Sequence, residues 1–232
     1  WSSDVCSSDL FCEIKTILER IWVFYEKNAK GPVGPLAYNI DQFGKVSFDN
    51  EGAMVRTLSD LEAYLKLARF LGPVHTETAM RRIHAEINRL QNQIFIAGAG
   101  AGALAGWIEL LLIVGDDNYL GQICQTVTKL SNKNSGVFDR NDLAFANPQA
   151  MIALVDVITY AKCQNQNIVK NHLNQIVDQF IEIYSQPKTF DRIFKTERGG
   201  GAFAANWVMQ ALIKIESVLK NKNQVTKKKF FD

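Results

Sequence analysis

Apolar residues return at intervals of three and four along most of this chain and rarely at intervals of two, so the pattern predicts helices and very little strand. Residues 11 to 27, FCEIKTILERIWVFYEK, set Ile14, Ile17, Leu18, Ile21, Trp22 and Tyr25 among charges at helical spacing, which predicts an amphipathic helix. The following GPVGPLAYNIDQFGKVSFDNEG holds two prolines and several glycines and cannot continue it. That stretch reads as a long loop with a short extended piece at Lys45 to Phe48.

From residue 52 a pair of helices recurs. An apolar-leaning helix over 52 to 71 is broken by Gly-Pro and followed by a more polar one over 76 to 92. The apolar stretch 99 to 114 passes through a GDD turn into an amphipathic partner at 118 to 131. A third pair covers 146 to 162 and 167 to 184, and a fourth opens over 199 to 220. A segment bearing a phenylalanine leads into each apolar helix, and Phe48 is followed by Phe95, Phe138 and Phe194 at spacings of 47, 43 and 56 residues. Those intervals exceed tetratricopeptide units and suit a helical hairpin with a substantial loop. Because no hairpin covers its own apolar face, neighbours must stack, with apolar helices inside and amphipathic ones outside.

One run tests this reading. Residues 94 to 115 carry a single charge, Glu109, over 22 positions, and Gly98, Gly102 and Gly106 repeat the small-residue spacing of packed membrane helices. The glycine-dense first half is a poor helix in water, and Glu109 would sit in hydrocarbon. A buried inner helix is predicted, and no membrane span.

The first ten residues, WSSDVCSSDL, have no apolar periodicity and closely resemble a sequencing adapter translated in frame. They are set aside from fold reasoning. The organisation expected is then 1–10 adapter-derived, 11–221 helical hairpins, and 222–232 a basic flexible tail. The natural N-terminus is expected upstream of residue 11, and any leader peptide with it. Cytoplasmic and secreted bacterial locations are both compatible with that expectation. Removing Asp4 and Asp9 moves the formal charge from +2 to +4, and the excess lies mostly in the tail VLKNKNQVTKKKFFD rather than on a helix face, so no nucleic-acid partner is predicted. Cys12, Cys124 and Cys163 form no CxxC pair; an odd set of this kind predicts small core residues, with no disulfide framework and no metal site.

The alternation of apolar and amphipathic helices over nearly all of residues 11 to 221 resembles the (α/α) toroid superfamily. That architecture is shared by many glycoside hydrolases, polysaccharide lyases, sugar epimerases, and terpene and peptide cyclases. The resemblance implies an all-α fold of repeated hairpins forming an incomplete toroid, since a full set of six needs roughly 300 residues. It also implies a site in the funnel made by the loops that lead into the inner helices. Those loops are long and polar, as PLAYNIDQFGKVSFDNEG, SGVFDRNDLAFAN and PKTFDRIFKTERGGG show.

Asp49, Asp139 and Glu197 are the candidate catalytic acids, because two facing carboxyls, one of them kept protonated, cleave a glycosidic bond. Glu51 and Asp142 join them as candidate substrate contacts, though acids in a helix's first turn also serve simply as caps. Arg140 and Arg198, with Arg192 and Lys195 nearby, suit the carboxylate of an acidic sugar. Tyr38 and Trp207 offer ring-stacking surfaces, and Asn206 beside Trp207 a polar contact, whereas Trp107 reads as core. Asp60, Glu109 and Asp156 are isolated acids within apolar helices; Asp60 has Arg56 one turn before it, and Asp156 has Thr159 and Tyr160 close at hand. His75, His84 and His172 fall away from the funnel, which weighs against histidine-based toroid chemistries. The expected function is a carbohydrate-active enzyme, a glycoside hydrolase or polysaccharide lyase acting on an oligo- or polysaccharide, with no cofactor. The alternative is a non-catalytic helical-repeat scaffold that binds a peptide or protein on its concave face.

Overall fold

The computed structural model describes residues 9–36, 39–40, 43–47, 54–96, 100–131, 146–160, 163, 178, 182, 185–188 and 201–219. Among them are seven α-helices: α1 (Asp9–Asn28), α2 (Met54–Leu71), α3 (Pro73–Ile96), α4 (Ala101–Val114), α5 (Leu120–Ser131), α6 (Ala146–Tyr160) and α7 (Gly201–Leu219). The fold is all-α, and the helix boundaries fall close to those the spacing predicts. Asn39–Ile40 pairs antiparallel with Val46–Ser47, which places the predicted extended piece in a small hairpin between α1 and α2. α1 starts at Asp9, two residues inside the adapter-like stretch. The second helix expected over 167 to 184 lies outside the described residues, apart from Asp178 and Glu182.

The chain divides into two compact units, Trp1–Gly98 and Ala99–Asp232. In the first, α2 and α3 form a hairpin whose turn is a single residue. Gly72 takes φ +122°, a conformation closed to side chains, and Pro73 starts α3 where its missing N–H costs nothing. The Thr76 hydroxyl donates back to the Gly72 carbonyl at 2.9 Å and fastens the turn. Leu58, Leu61, Leu65 and Ala68 of α2 and Ala79, Ile83, Ile87, Leu90 and Ile94 of α3 are buried. Each large aliphatic side chain so enclosed contributes about 1.5–3 kcal/mol.

The expected contrast between an apolar inner α2 and a polar outer α3 does not hold in this unit. Arg82 and Glu86 of α3 are themselves buried, on the same stripe as the apolar residues, so α3 is enclosed as deeply as α2.

In the second unit α4 is enclosed on nearly every side, as its composition requires. Ala103, Leu104, Ala105, Trp107, Ile108, Leu110, Leu111 and Val114 are buried, and Glu109 is partly buried and engaged in an interaction. The long apolar run is interrupted, since α3 ends at Ile96 and α4 begins at Ala101. No helix among the described residues is long and apolar enough to cross a membrane. Gly115, at φ +71°, closes α4 by donating its N–H to the Leu111 carbonyl. A single 3-10 turn, capped by Asp116, then leads into α5. α6 packs along α4 and also meets α5 and α7. Its residues Ala150 to Val157 are buried without a break.

Cys124 of α5 and Cys163, just beyond α6, are joined by a disulfide, with Cα atoms 5.5 Å apart. This overturns the expectation of isolated core thiols. Cys12 is disulfide-bonded as well. The pairing of Cys124 with Cys163 depends on α5 lying against α6, a tertiary fact that their separation of 39 residues does not reveal. Closing a ring of that size restricts the unfolded chain. The Cys124→Ser/Cys163→Ser double variant is expected to lose about 3–4 kcal/mol in urea unfolding; an unchanged midpoint would show the bridge to be energetically idle.

Candidate functional site

The expected site residues divide sharply. Tyr38, Asp49, Glu51, Asp139, Arg140, Asp142, Glu197 and Arg198, with Arg192 and Lys195, lie outside the described residues. Asn206 and Trp207 fall in the second turn of α7, where Asn206 is exposed and Trp207 partly buried. Trp107 is fully buried in α4, as a core residue.

Charged groups do converge in the interior, around residues that periodicity alone passes over. Arg82 is wholly buried on α3. Its Nη1 donates to the carbonyl of Gly31, at 3.0 Å, and to that of Gly34. Its Nη2 stands 3.3 Å from each carboxylate oxygen of Glu26 on α1. The guanidinium carbon sits 5.8 Å from the centre of the Tyr64 ring. The backbone from Lys30 to Pro35 is bent around this arginine, and the bend is closed by the Lys30 N–H donating to the Pro35 carbonyl at 3.0 Å. Only glycine fits position 34, since an added Cβ would come within 1.8 Å of the Lys30 carbonyl oxygen. Two of the carbonyls of this bend are held by the arginine fork.

Tyr64 completes the cluster. Its hydroxyl donates to Glu26, and its ring stacks on Trp22 with centroids 4.6 Å apart. His75 meets the edge of Trp22 at 5.1 Å. Burial first, and then the hydrogen bond to Glu26, hold the Tyr64 phenol well above its ordinary range. Tyr64 is therefore a permanent donor at neutral pH. Glu26, Tyr64 and the two terminal nitrogens of Arg82 bond one another and the loop backbone, while the buried Arg82 Nε has no hydrogen-bond partner, and the arrangement acts as a clamp that docks α1 and the bend at 30–36 onto the α2–α3 hairpin. A signal for Arg82 was present in the sequence: it shares the helical register of Ala79, Ile83 and Glu86, where a charge has to be paired to be tolerated.

No protein-family model, curated protein or solved structure matches this chain.

The isolated acids of α2 and α6 fare differently from one another. Burial raises the Asp60 carboxyl above its ordinary value of 3.8, opposed by the charge of Arg56, the partner expected one turn away. Burial also raises Tyr25, and the Asp60 charge adds to it. Asp156 is nearly buried on α6 and is met by the ammonium of Lys214 from α7, a long-range ion pair; the side chains of Thr159 and Tyr160, its expected local partners, lie outside what the structure describes. Among the described residues no group of three or more His, Cys, Asp or Glu is placed to hold a metal ion.

Arg82→Met should cost about 3 kcal/mol in urea unfolding, because it strands two carbonyls and a carboxylate. Arg82→Lys should recover only part of this, having no fork. Asp60 supplies a pH test with a definite sign. The folded chain holds its proton more tightly than the unfolded chain, so that contribution favours folding below pH 3.8 and is lost as pH rises through the folded value. Asp60→Asn is thus expected to be more stable than the parent at neutral pH and to lose that margin in acid; chemical denaturation across pH measures both.

Proposed function

We propose that the chain is part of a carbohydrate-active enzyme of the helical-hairpin toroid type, a glycoside hydrolase or polysaccharide lyase that receives its substrate at the loops leading into the inner helices. The observation that carries the reading is the succession of α4, α6 and α7. These are the leading helices of three successive hairpins in the sequence, and they pack in chain order, α4 on α6 and α6 on α7.

The Asp156–Lys214 pair fixes the level at which the last two meet, and the toroid reading takes them as parallel. Asp156 lies ten residues after the start of α6 and Lys214 thirteen after the start of α7. At about 1.5 Å per residue the two helix starts are then offset by only about 4.5 Å. In that arrangement the loop with Asp139, Arg140 and Asp142 enters from the same end as the loop with Glu197 and Arg198. Asn206 and Trp207 follow in the second turn of α7, with Asn206 exposed to a ligand and Trp207 only partly covered.

The chemistry assigned to this mouth is acid–base cleavage. One of Asp139 and Glu197 delivers a proton to the leaving oxygen, and the other activates water or attacks the anomeric carbon. Arg140 and Arg198 suit a uronic or sulfated sugar, and Trp207 a sugar face. Tyr38, Asp49 and Glu51 belong to the equivalent loop before α2.

Asp139→Asn and Glu197→Gln, made separately in the full-length protein, are each expected to lower kcat/KM on a cleaved polysaccharide by at least about 100-fold. Unchanged turnover in both removes these acids from the mechanism. Saccharide or peptide binding without any turnover would instead support the non-catalytic scaffold.

A further inference from the structure

α1 buries one apolar face among the described residues and leaves another exposed. Trp22 is buried, and Leu18, Tyr25 and Glu26 are partly buried on the face turned to the α2–α3 hairpin. Beside that face runs a second strip that nothing among the described residues covers: Ile14 is 42% exposed, Ile17 55%, Ile21 40% and Phe24 54%. A scattered exposed apolar residue is ordinary, but four in a row along one helix are not.

The spacing of the strip is informative. The steps from Ile14 to Ile17, Ile21 and Phe24 are three, four and three, the a/d alternation of a helix seam that meets another helix. One edge of the strip is lined by Glu13, Arg20 and Lys27, all exposed and seven residues apart, on the register that flanks such a seam. The acidic residue is at one end and a basic one at the other. An antiparallel copy of the same helix places Ile14 opposite Phe24 and Ile17 opposite Ile21. It sets Glu13 of each copy against Lys27 of the other, and it brings the two exposed Arg20 side chains, like in charge, near the two-fold axis, which further limits the strength of the contact. The strip is thus self-complementary in shape and in terminal charge, the condition for an isologous contact. Every residue used lies beyond the adapter-like stretch.

We infer that α1 is a homodimer interface in which the strip Ile14–Ile17–Ile21–Phe24 packs antiparallel against its own copy, with reciprocal Glu13–Lys27 ion pairs. The inference does not use the carbohydrate reading, and the upstream hairpins which that reading expects are the rival occupant of the strip. Association incurs little ordering cost, because the Trp22–Tyr64 stack already fixes α1 as a helix. The contact is narrow, so the dimer is weak and concentration-dependent.

Sedimentation equilibrium of the whole chain tests it. The parent is expected to show a monomer–dimer equilibrium, and Ile17→Glu to be monomeric with an unchanged circular dichroism spectrum. Glu13→Lys is expected to weaken the dimer roughly tenfold through lost pairs and added repulsion, and Glu13→Lys/Lys27→Glu to restore it. A parent that is monomeric at every concentration overturns the proposal. So does a double swap that fails to restore Glu13→Lys, or a chain carrying its natural residues upstream of position 11 that is monomeric where this one dimerises; the last result would assign the strip to that upstream segment.

Discussion

A helix with no polar face has to be surrounded, and α4 is such a helix. Its hydrophobic residues point in every direction, so the free energy of the second unit depends on bringing other helices around it. α6 answers along one side with its own uninterrupted apolar stretch, and α5 supplies the amphipathic cover. α7 then encloses α6 through Val208, Ala211 and Ile215. The packing of α5, α6 and α7 in this unit follows from that one requirement. Small residues near the start of α4, Ala103 and Ala105 with Gly102 and Gly106, let neighbours approach closely, and the larger Trp107, Ile108 and Leu111 fill the remaining volume.

The first unit solves its packing in another way. An aromatic stack and a buried arginine organise it, and the arginine acts at a distance in sequence, shaping a glycine–proline bend about 50 residues away. A bend with inward carbonyls is unstable by itself, and a buried guanidinium is unstable by itself. Each makes the other tolerable, and the coupling fixes α1 and the hairpin in one register.

What could be read in the sequence was what depends on local spacing. The helices, the break at Gly72 and Pro73, and the enclosure of residues 101 to 114 all follow from periodicity and from the backbone limits of glycine and proline. What escaped depends on tertiary neighbours. Arg82 and Glu86 made α3 look like an outer helix, although they stand on its buried stripe. Asp156 showed no basic residue one turn away because its partner is Lys214, 58 residues on. Cys124 and Cys163 looked unrelated for the same reason. The candidate acids and arginines belong to stretches between the predicted helices, where position depends on the packing of the helices at either end rather than on any local repeat.

The disulfide between Cys124 and Cys163 encloses the loop that carries Asp139, Arg140 and Asp142 within a covalent ring. A protease that cuts this loop does not release a fragment: both halves stay attached until a reductant is added. The loop can thus suffer a nick without letting the two bridged segments drift apart.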